Sequence, residues 1–269
     1  MSPKPAFSSA AAVVTGSSSG IGRATISALA KAGASQLVVH YCANQRGAEE
    51  TAKIAWQSGC EEVFVVQADL QIPSQRDHLA EVAFKKFGRV DAWINNAGAD
   101  VLTGDAAKLS FAEKLQWLWR VDVQATIELS RNVAQRMLEQ TTSESNSEKL
   151  PPSMTFIGWD QAPLGMEGDA GQMFGPIKAA VMAFANSMAQ EFSPDLRINT
   201  VAPGWIQTSW GESTSDYWDS RAKAQSLMQR WGTPDDVAKA ILYAADPANT
   251  FTTGQTIAVD GGWSRRFQG

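Results

Sequence analysis

Ala12-Val13-Val14-Thr15-Gly16-Ser17-Ser18-Ser19-Gly20-Ile21-Gly22 carries a short β-branched segment directly into a glycine-rich turn, and the helix and strand beyond that turn decide the fold. Behind the turn, Ile21, Ala24, Ala28, Leu29 and Ala32 recur at helical spacing, and Gly33 supplies a C-terminal stop. Leu37 to His40 then returns to strand-like residues, which completes one βαβ unit with two parallel strands. Gly16, Gly20 and Gly22 give the turn access to positive φ and let backbone amides approach a pyrophosphate, whose charge meets the positive end of the helix. The spacing is G-x-x-x-G-x-G, and by itself it also suits a serine-glycine turn that holds nothing.

Outward from this unit the alternation continues. The strand candidates are Ala12 to Val14, Leu37 to His40, Val63 to Val66, Ala92 to Ile94, Met154 to Ile157, Ile198 to Val201 and Thr256 to Val259. Most are apolar throughout, as expected of a parallel sheet covered by helices on both faces. The expected architecture is therefore one doubly wound α/β domain over residues 1–269, with a parallel seven-stranded sheet. Thr233-Pro234-Asp235-Asp236 reads as a helix start: a cap, a proline at the first helical position and two acids at the positive end of the dipole. That helix runs to about Ala245. Glu139 to Pro152 reads as a polar exposed loop, and 209–230 as an insertion forming a lid over the ligand crevice.

Composition narrows the function. Of 269 residues, 44% are hydrophobic and 19% charged, the balance of a globular protein. A formal net charge of −5, with no basic run longer than Arg265-Arg266, opposes nucleic acid as a partner. Cys42 and Cys60 cannot staple a chain of this length and have no metal-ligand spacing, so no metal is expected and a reducing, cytoplasmic setting is the default. The apolar run Ala10 to Val14 is too short for a signal-peptide core or a membrane span.

The glycine motif, together with Ala68-Asp69-Leu70, Asn95-Asn96-Ala97-Gly98, Arg197-Ile198-Asn199, Ala202-Pro203-Gly204 and Thr253-Gly254-Gln255 leading to Asp260-Gly261-Gly262, resembles the short-chain dehydrogenase/reductase family over nearly the whole chain. The resemblance implies a Rossmann-like fold and a nicotinamide dinucleotide cofactor. It places Gly16, Ser18, Ser19, Gly20, Ile21 and Gly22 at the diphosphate, Asp69 and Leu70 beside the adenine, and Asn96, Ala97 and Gly98 on the adenosine side. Asn-Asn-Ala-Gly serves as a structural turn in the same family. Pro203 to Thr208, with Gly204 and Ile206, are implied to hold the carboxamide. After the second strand, His40-Tyr41-Cys42-Ala43-Asn44-Gln45-Arg46 has no acid before Glu49, so nothing there repels a ribose 2′-phosphate. NADP(H) is expected over NAD(H), with Tyr41 and Asn44 at that end. Arg46 is either a phosphate donor or a solvated residue of the next helix, and His40 a strand residue with a satisfied ring.

The catalytic positions depart from the family. It uses Asn, Ser, Tyr and Lys, with the Lys four residues after the Tyr on one helix face. Here the lysine is Lys178, and Phe174 occupies the tyrosine position, with Pro176 expected in the first turn of the helix. Asp160 and Gln161 stand where the serine is expected, and Asp122 where the asparagine is. Tyr217 falls in the lid, from which it can swing inward. Asp160 beside Trp159 is the first candidate for a replacement proton donor, its pKa raised by desolvation, or else it is a loop acid capping a backbone N–H. Lys178 can itself donate, or bind the ribose. Two functions are open: an oxidoreductase transferring hydride between NADP(H) and a carbonyl or hydroxyl substrate with a non-standard proton donor, or an NADP(H)-binding sensor, scaffold or assembly subunit. Trp159, Trp205, Trp210 and Trp218 point to an apolar or ring-containing substrate, or simply pack the lid. The Ala- and Met-rich stretch from Lys178 to Phe192, and the resemblance itself, imply a homo-oligomer.

Overall fold

In a computed structural model, which describes residues 6–143, 150–208, 211 and 214–263, all seven expected strands pair in parallel. They are β1 (Ala11–Val14), β2 (Gln36–Tyr41), β3 (Glu62–Gln67), β4 (Ala92–Asn95), β5 (Ser153–Ile157), β6 (Arg197–Pro203) and β7 (Thr256–Val259), in the spatial order β3-β2-β1-β4-β5-β6-β7. The order reverses between β1 and β4. At such a switch point the helices leave on opposite faces and a crevice opens at the carboxyl ends of the strands.

Strand periodicity builds two cores. Val13, Val38, Trp93, Met154 and Ile198 face one side of the sheet, where α3 (Pro73–Phe87), α5 (Thr126–Ser143) and α6 (Gly168–Phe192) cover them. Ala12, Val14, Leu37, Val39 and Ile94 face the other, covered by α1 (Gly20–Lys31), α2 (Gln45–Gln57) and α8 (Pro234–Ala245). Only the edge strands β3 and β7 leave part of their surface exposed. Thr233 caps α8 reciprocally with Asp236, as its sequence implies.

Three boundaries differ from the sequence reading. Helix α5 runs through Glu139 to Ser143, because apolar Met137 and buried Gln140 continue its inner face; Gln140 there bonds both polar backbone groups of Val90. The expected loop is thus shorter at its start, and 144–149 lie outside the described residues. Helix α6 begins at Gly168, which puts Pro176 inside the helix rather than in its first turn. The lid is itself partly helical, with α7 at Asp216–Gln225, while 209–210 and 212–213, including Trp210, lie outside the described residues. A short helix α4 (Phe111–Leu118) passes into α5 through a π-helical turn, Trp119–Ala125. No helix among the described residues is long and apolar enough to cross a membrane.

Candidate active site

The β1–α1 turn is fixed by groups from three strands. Thr15 Oγ1 accepts the amides of both Asn96 and Ala97 at 2.9 Å, and Asn96 Nδ2 donates to the carbonyls of Thr15 and Gly16. The Asn-Asn-Ala-Gly turn after β4 therefore clamps the glycine turn. Gly16 has φ +62, and a Cβ there would lie 2.7 Å from Ala97 Cα. A Cβ on Gly22 would lie 2.5 Å from Gly16 O and 2.7 Å from Ser17 Cα, so Gly22 is a packing glycine. Gly22, expected at the diphosphate, is not among the residues lining the groove beside this turn, and it allows the turn to close on the helix.

Two side chains that sequence reasoning gave little weight complete the turn. His40 Nδ1 accepts the Gly16 amide at 2.9 Å, which leaves Nε2–H to donate to Ala68 O at 3.0 Å. Both ring nitrogens are engaged in one tautomer, and burial lowers the pKa to about 4. Arg23 Nη2 donates to Ser18 O and Gly47 O, tying the turn to the start of α2. A basic residue four positions into a helix carries no sequence signal for that task.

The start of α1 stays open. Ser19, its N-cap, is extended, exposed and makes no capping bond with its side chain, so among the described residues no side chain caps the first amides. A groove of about 640 Å³ runs past them, lined by Gly16, Ser18, Ser19, Gly20, Ile21, Tyr41, Asn44, Asp69, Leu70, Asn96, Ala97 and Gly98. Uncapped amides beside glycines that a Cβ would block fit a dinucleotide diphosphate. At the β2 end of the groove stand Tyr41, Cys42, Ala43 and Asn44, none of them acidic. Asn44 caps α2 by accepting the Gly47 amide, and Arg46 pairs along α2 with Glu50 rather than lining the groove.

A second cavity, of about 490 Å³, opens beyond the first and shares Ile21, Leu102, Phe174 and Thr208 with it. Its wall includes Pro203, Gly204, Ile206 and four indoles, Trp159, Trp205, Trp218 and Trp231. Trp231 escaped the sequence reading because it stands just past the polar end of the lid. Trp205 Nε1 donates to Gln225 and Trp231 Nε1 to Asp219, so α7 holds both rings. Tyr217 does not line the cavity; it is exposed and stacks edge-on against Trp218.

Lys178 is the only titratable side chain among the described residues lining this cavity. Its Nζ lies 3.1 Å from Asp122 Oδ2, and Asp122, 3% exposed, also accepts the Ala99 amide at 2.8 Å. The π-helical turn brings that carboxylate inward, and Gly98 leaves room for it: a Cβ there would lie 2.9 Å from Oδ2. Asp122 and Lys178, 56 residues apart in the numbering, thus form one buried ion pair at the cleft.

Asp160 and Gln161 are not brought to the cavity. The Asp160 amide bonds Pro203 O, and its carboxyl packs behind Gly204 on the side of Asp260. Burial, and then the charge of Asp260, push its pKa up to about 7. The raised pKa expected from the sequence is present, but the carboxyl does not face the cleft. Gln161 is 1% exposed and its Nε2 has no partner.

Known proteins share this architecture. Residues 16–264 match the family described as Enoyl-(Acyl carrier protein) reductase. The chain is 33% identical over 269 residues to a 3-oxoacyl-[acyl-carrier-protein] reductase of Synechocystis, covering 96% of this chain and 98% of the relative. It is 30% identical over 263 residues to Tropinone reductase-like 3 of Erythroxylum coca, covering 97% and 95%. A solved short-chain dehydrogenase/reductase from Serratia marcescens, a double mutant, superposes with a TM-score of 0.82 at 26% identity, covering 95% of this chain and 98% of the other.

Proposed function

The chain belongs to the short-chain dehydrogenase/reductase family of NAD(P)-dependent oxidoreductases, and on that premise we propose that it transfers hydride between NADP(H) and a small apolar carbonyl or hydroxyl substrate, with Lys178 in place of the missing tyrosine acid. One observation carries this reading: the dinucleotide groove and the indole cavity meet at Phe174, where Lys178 is the titratable group on the wall. When bound, the reduced nicotinamide supplies the hydride. Ser18 to Ile21 offer amides to its diphosphate, and Pro203 to Thr208 border its reactive end. Lys178 directs Nζ–H donors to Asp122 Oδ2 at 3.1 Å and Ile157 O at 3.5 Å, which leaves one of its three for the cleft, and that proton passes to the substrate oxygen as negative charge develops there. Asp122 positions that ammonium.

The cofactor is NADP(H) because no carboxylate stands after β2 to repel a 2′-phosphate. Placing one there by Cys42→Asp is expected to weaken NADPH about tenfold relative to NADH. Pairing of copies through α6 is supported by its outer row, where Pro176, Ala179 and Ala183 are exposed small residues that permit close approach. Phe174, which has no proton to give, favours the second reading, a binding protein without turnover.

Titration of NADPH fluorescence, then NADPH oxidation with a carbonyl panel, separates the two. Turnover that Lys178→Met removes, with NADPH still bound, is the expected result. Binding without turnover on aldehydes, ketones, quinones and β-keto esters assigns the chain to the sensor or scaffold class.

A further inference from the structure

The wall of the second cavity and the absence of a hydroxyl donor at Phe174 point to the same substrate chemistry. Trp205 lies 5.8 Å, centroid to centroid, from Trp218 and 5.9 Å from Trp231, with Trp159 and Phe174 also on the wall. Arg221 stacks on the Trp218 and Trp205 rings at 5.3 and 5.9 Å and pairs with Glu167 at 2.6 Å, bracing the aromatic wall against the start of α6. Indole faces are electron-rich and stack best on flat, electron-poor rings.

Hydride addition to an isolated ketone leaves an alkoxide, about as basic as hydroxide and far more basic than a phenolate. That is the charge a tyrosine acid would meet, and Phe174 cannot. Hydride addition to a quinone instead leaves a hydroquinone anion, a phenolate whose conjugate acid lies near 10, as for tyrosine itself. Its charge is spread over a ring that the indoles can cover, beside the positive charge of Lys178.

We infer that the indole cavity takes a flat bicyclic quinone, which this protein reduces by two electrons to the hydroquinone. This rests on the hydride-transfer reading above. The hydride adds to one quinone oxygen, its electron pair becoming the new O–H bond, while ring π electrons move onto the other oxygen as the ring becomes aromatic, and the nicotinamide is left oxidised. The resulting monoanion takes one proton from the Lys178 ammonium, which regains it from water.

The test compares 1,4-naphthoquinone with 1-decalone, a saturated ketone on the same two-ring skeleton. Without cofactor, naphthoquinone is expected to quench tryptophan fluorescence saturably, and Trp218→Leu and Trp159→Leu each to weaken that binding about tenfold. With NADPH, after subtraction of the uncatalysed rate, kcat/KM for the quinone is expected to exceed that for decalone by about 100-fold. Phe174→Tyr, which adds a second proton donor at the cleft beside Lys178, is expected to narrow that preference by about tenfold. NADPH binding with no saturable quinone binding, quinone binding without turnover, or decalone reduced as efficiently as the quinone would each overturn the inference while leaving the cofactor reading in place. Failure of NADPH to bind would overturn the cofactor reading and the reduction with it, and is told apart from a failure of the cavity assignment because the quinone titration is made without cofactor.

Discussion

At the β1–β4 end of the cleft, Thr15, His40 and Asn96 satisfy one another's hydrogen bonds and those of the glycine turn, and Gly22 fills a space that admits no Cβ. At the β5–β7 end, Asp160 Oδ1, Gln161 Nε2, Thr155 Oγ1 and Thr200 Oγ1 are buried with no partner, and the cavity wall is aromatic. The first end is rigid because Thr15, His40 and Asn96 each have one geometry that satisfies them, although Asn95 Nδ2 on β4 beside them is buried without a partner among the described residues. The second end carries more of the unsatisfied polar atoms, and its shape is set by ring packing and by the Lys178–Asp122 and Arg221–Glu167 ion pairs. A dinucleotide diphosphate demands the same amides in any such protein, whereas a substrate demands only a fitting wall.

The largest expected effects come from the glycines, and they have opposite signs at the two ends. Gly22→Ala forces a Cβ against backbone at Gly16 and Ser17 and should weaken NADPH binding about 100-fold or more, the equivalent of about 3 kcal/mol, by fluorescence titration. Gly175→Ala, next to Phe174, meets nothing within 4 Å. Helix propensity alone should then stabilise the protein by about 0.5 to 1 kcal/mol in urea unfolding. Equal losses of binding in both variants would show that the two ends are equally tight.

Next comes the ion pair that joins the ends. Lys178→Ala leaves Asp122 buried with only the Ala99 amide, and should cost about 3 kcal/mol. Lys178→Met with Asp122→Asn removes both charges and should recover at least half of that. A double-mutant cycle in urea with no coupling between the sites would break the picture of one buried pair.

Titration should also separate the ends by sign. His40 has its folded pKa depressed, so the unfolded chain binds the proton first. Its contribution is complete above about 6.5 and is lost as pH falls toward about 4, up to about 3 kcal/mol. Asp160 has its folded pKa raised, so the folded chain binds the extra proton. Its contribution is present below about 3.8 and is lost as pH rises through about 7. His40→Gln should therefore flatten the stability profile between pH 4 and 6.5. Asp160→Asn should stabilise at pH 8 relative to pH 4, by about 1 to 2 kcal/mol once partial exposure is allowed for.

The same contrast explains what the sequence made legible. The strands and the glycine turn depend on local period and on φ, which individual residues carry. The groove residues from Gly16 to Gly98 gathered as expected for that reason. The catalytic end depends on where a side chain points after a strand ends. Asp160 and Trp159 are neighbours in the chain, yet Trp159 lines the cavity and Asp160 packs behind Gly204. Pairing of Asp122 with Lys178 requires a π-helical turn, which no residue type announces. His40 was legible as a satisfied strand residue, but its bond to Gly16 depends on a strand pairing 24 residues away.

The smallest expected effect probes the lid. Glu167, at the N-cap of α6, is largely exposed, while Arg221 on α7 has only 12% of its side chain exposed and lies over Trp218. The Arg221 guanidinium beside it holds the Glu167 carboxyl below its ordinary range. An exposed carboxylate in such a pair gains little over water and is screened by salt. The stacking of Arg221 on the two indoles does not depend on that carboxylate. Glu167→Gln should therefore raise KM for a ring substrate by no more than about threefold, and about 0.5 M salt should erase the difference. Trp218→Leu, which removes the surface on which Arg221 rests, should raise KM more and keep its effect in salt. If Glu167→Gln proves the more damaging, the cavity is closed by charge rather than by ring packing, and the contrast between the two ends of the cleft would have to be redrawn.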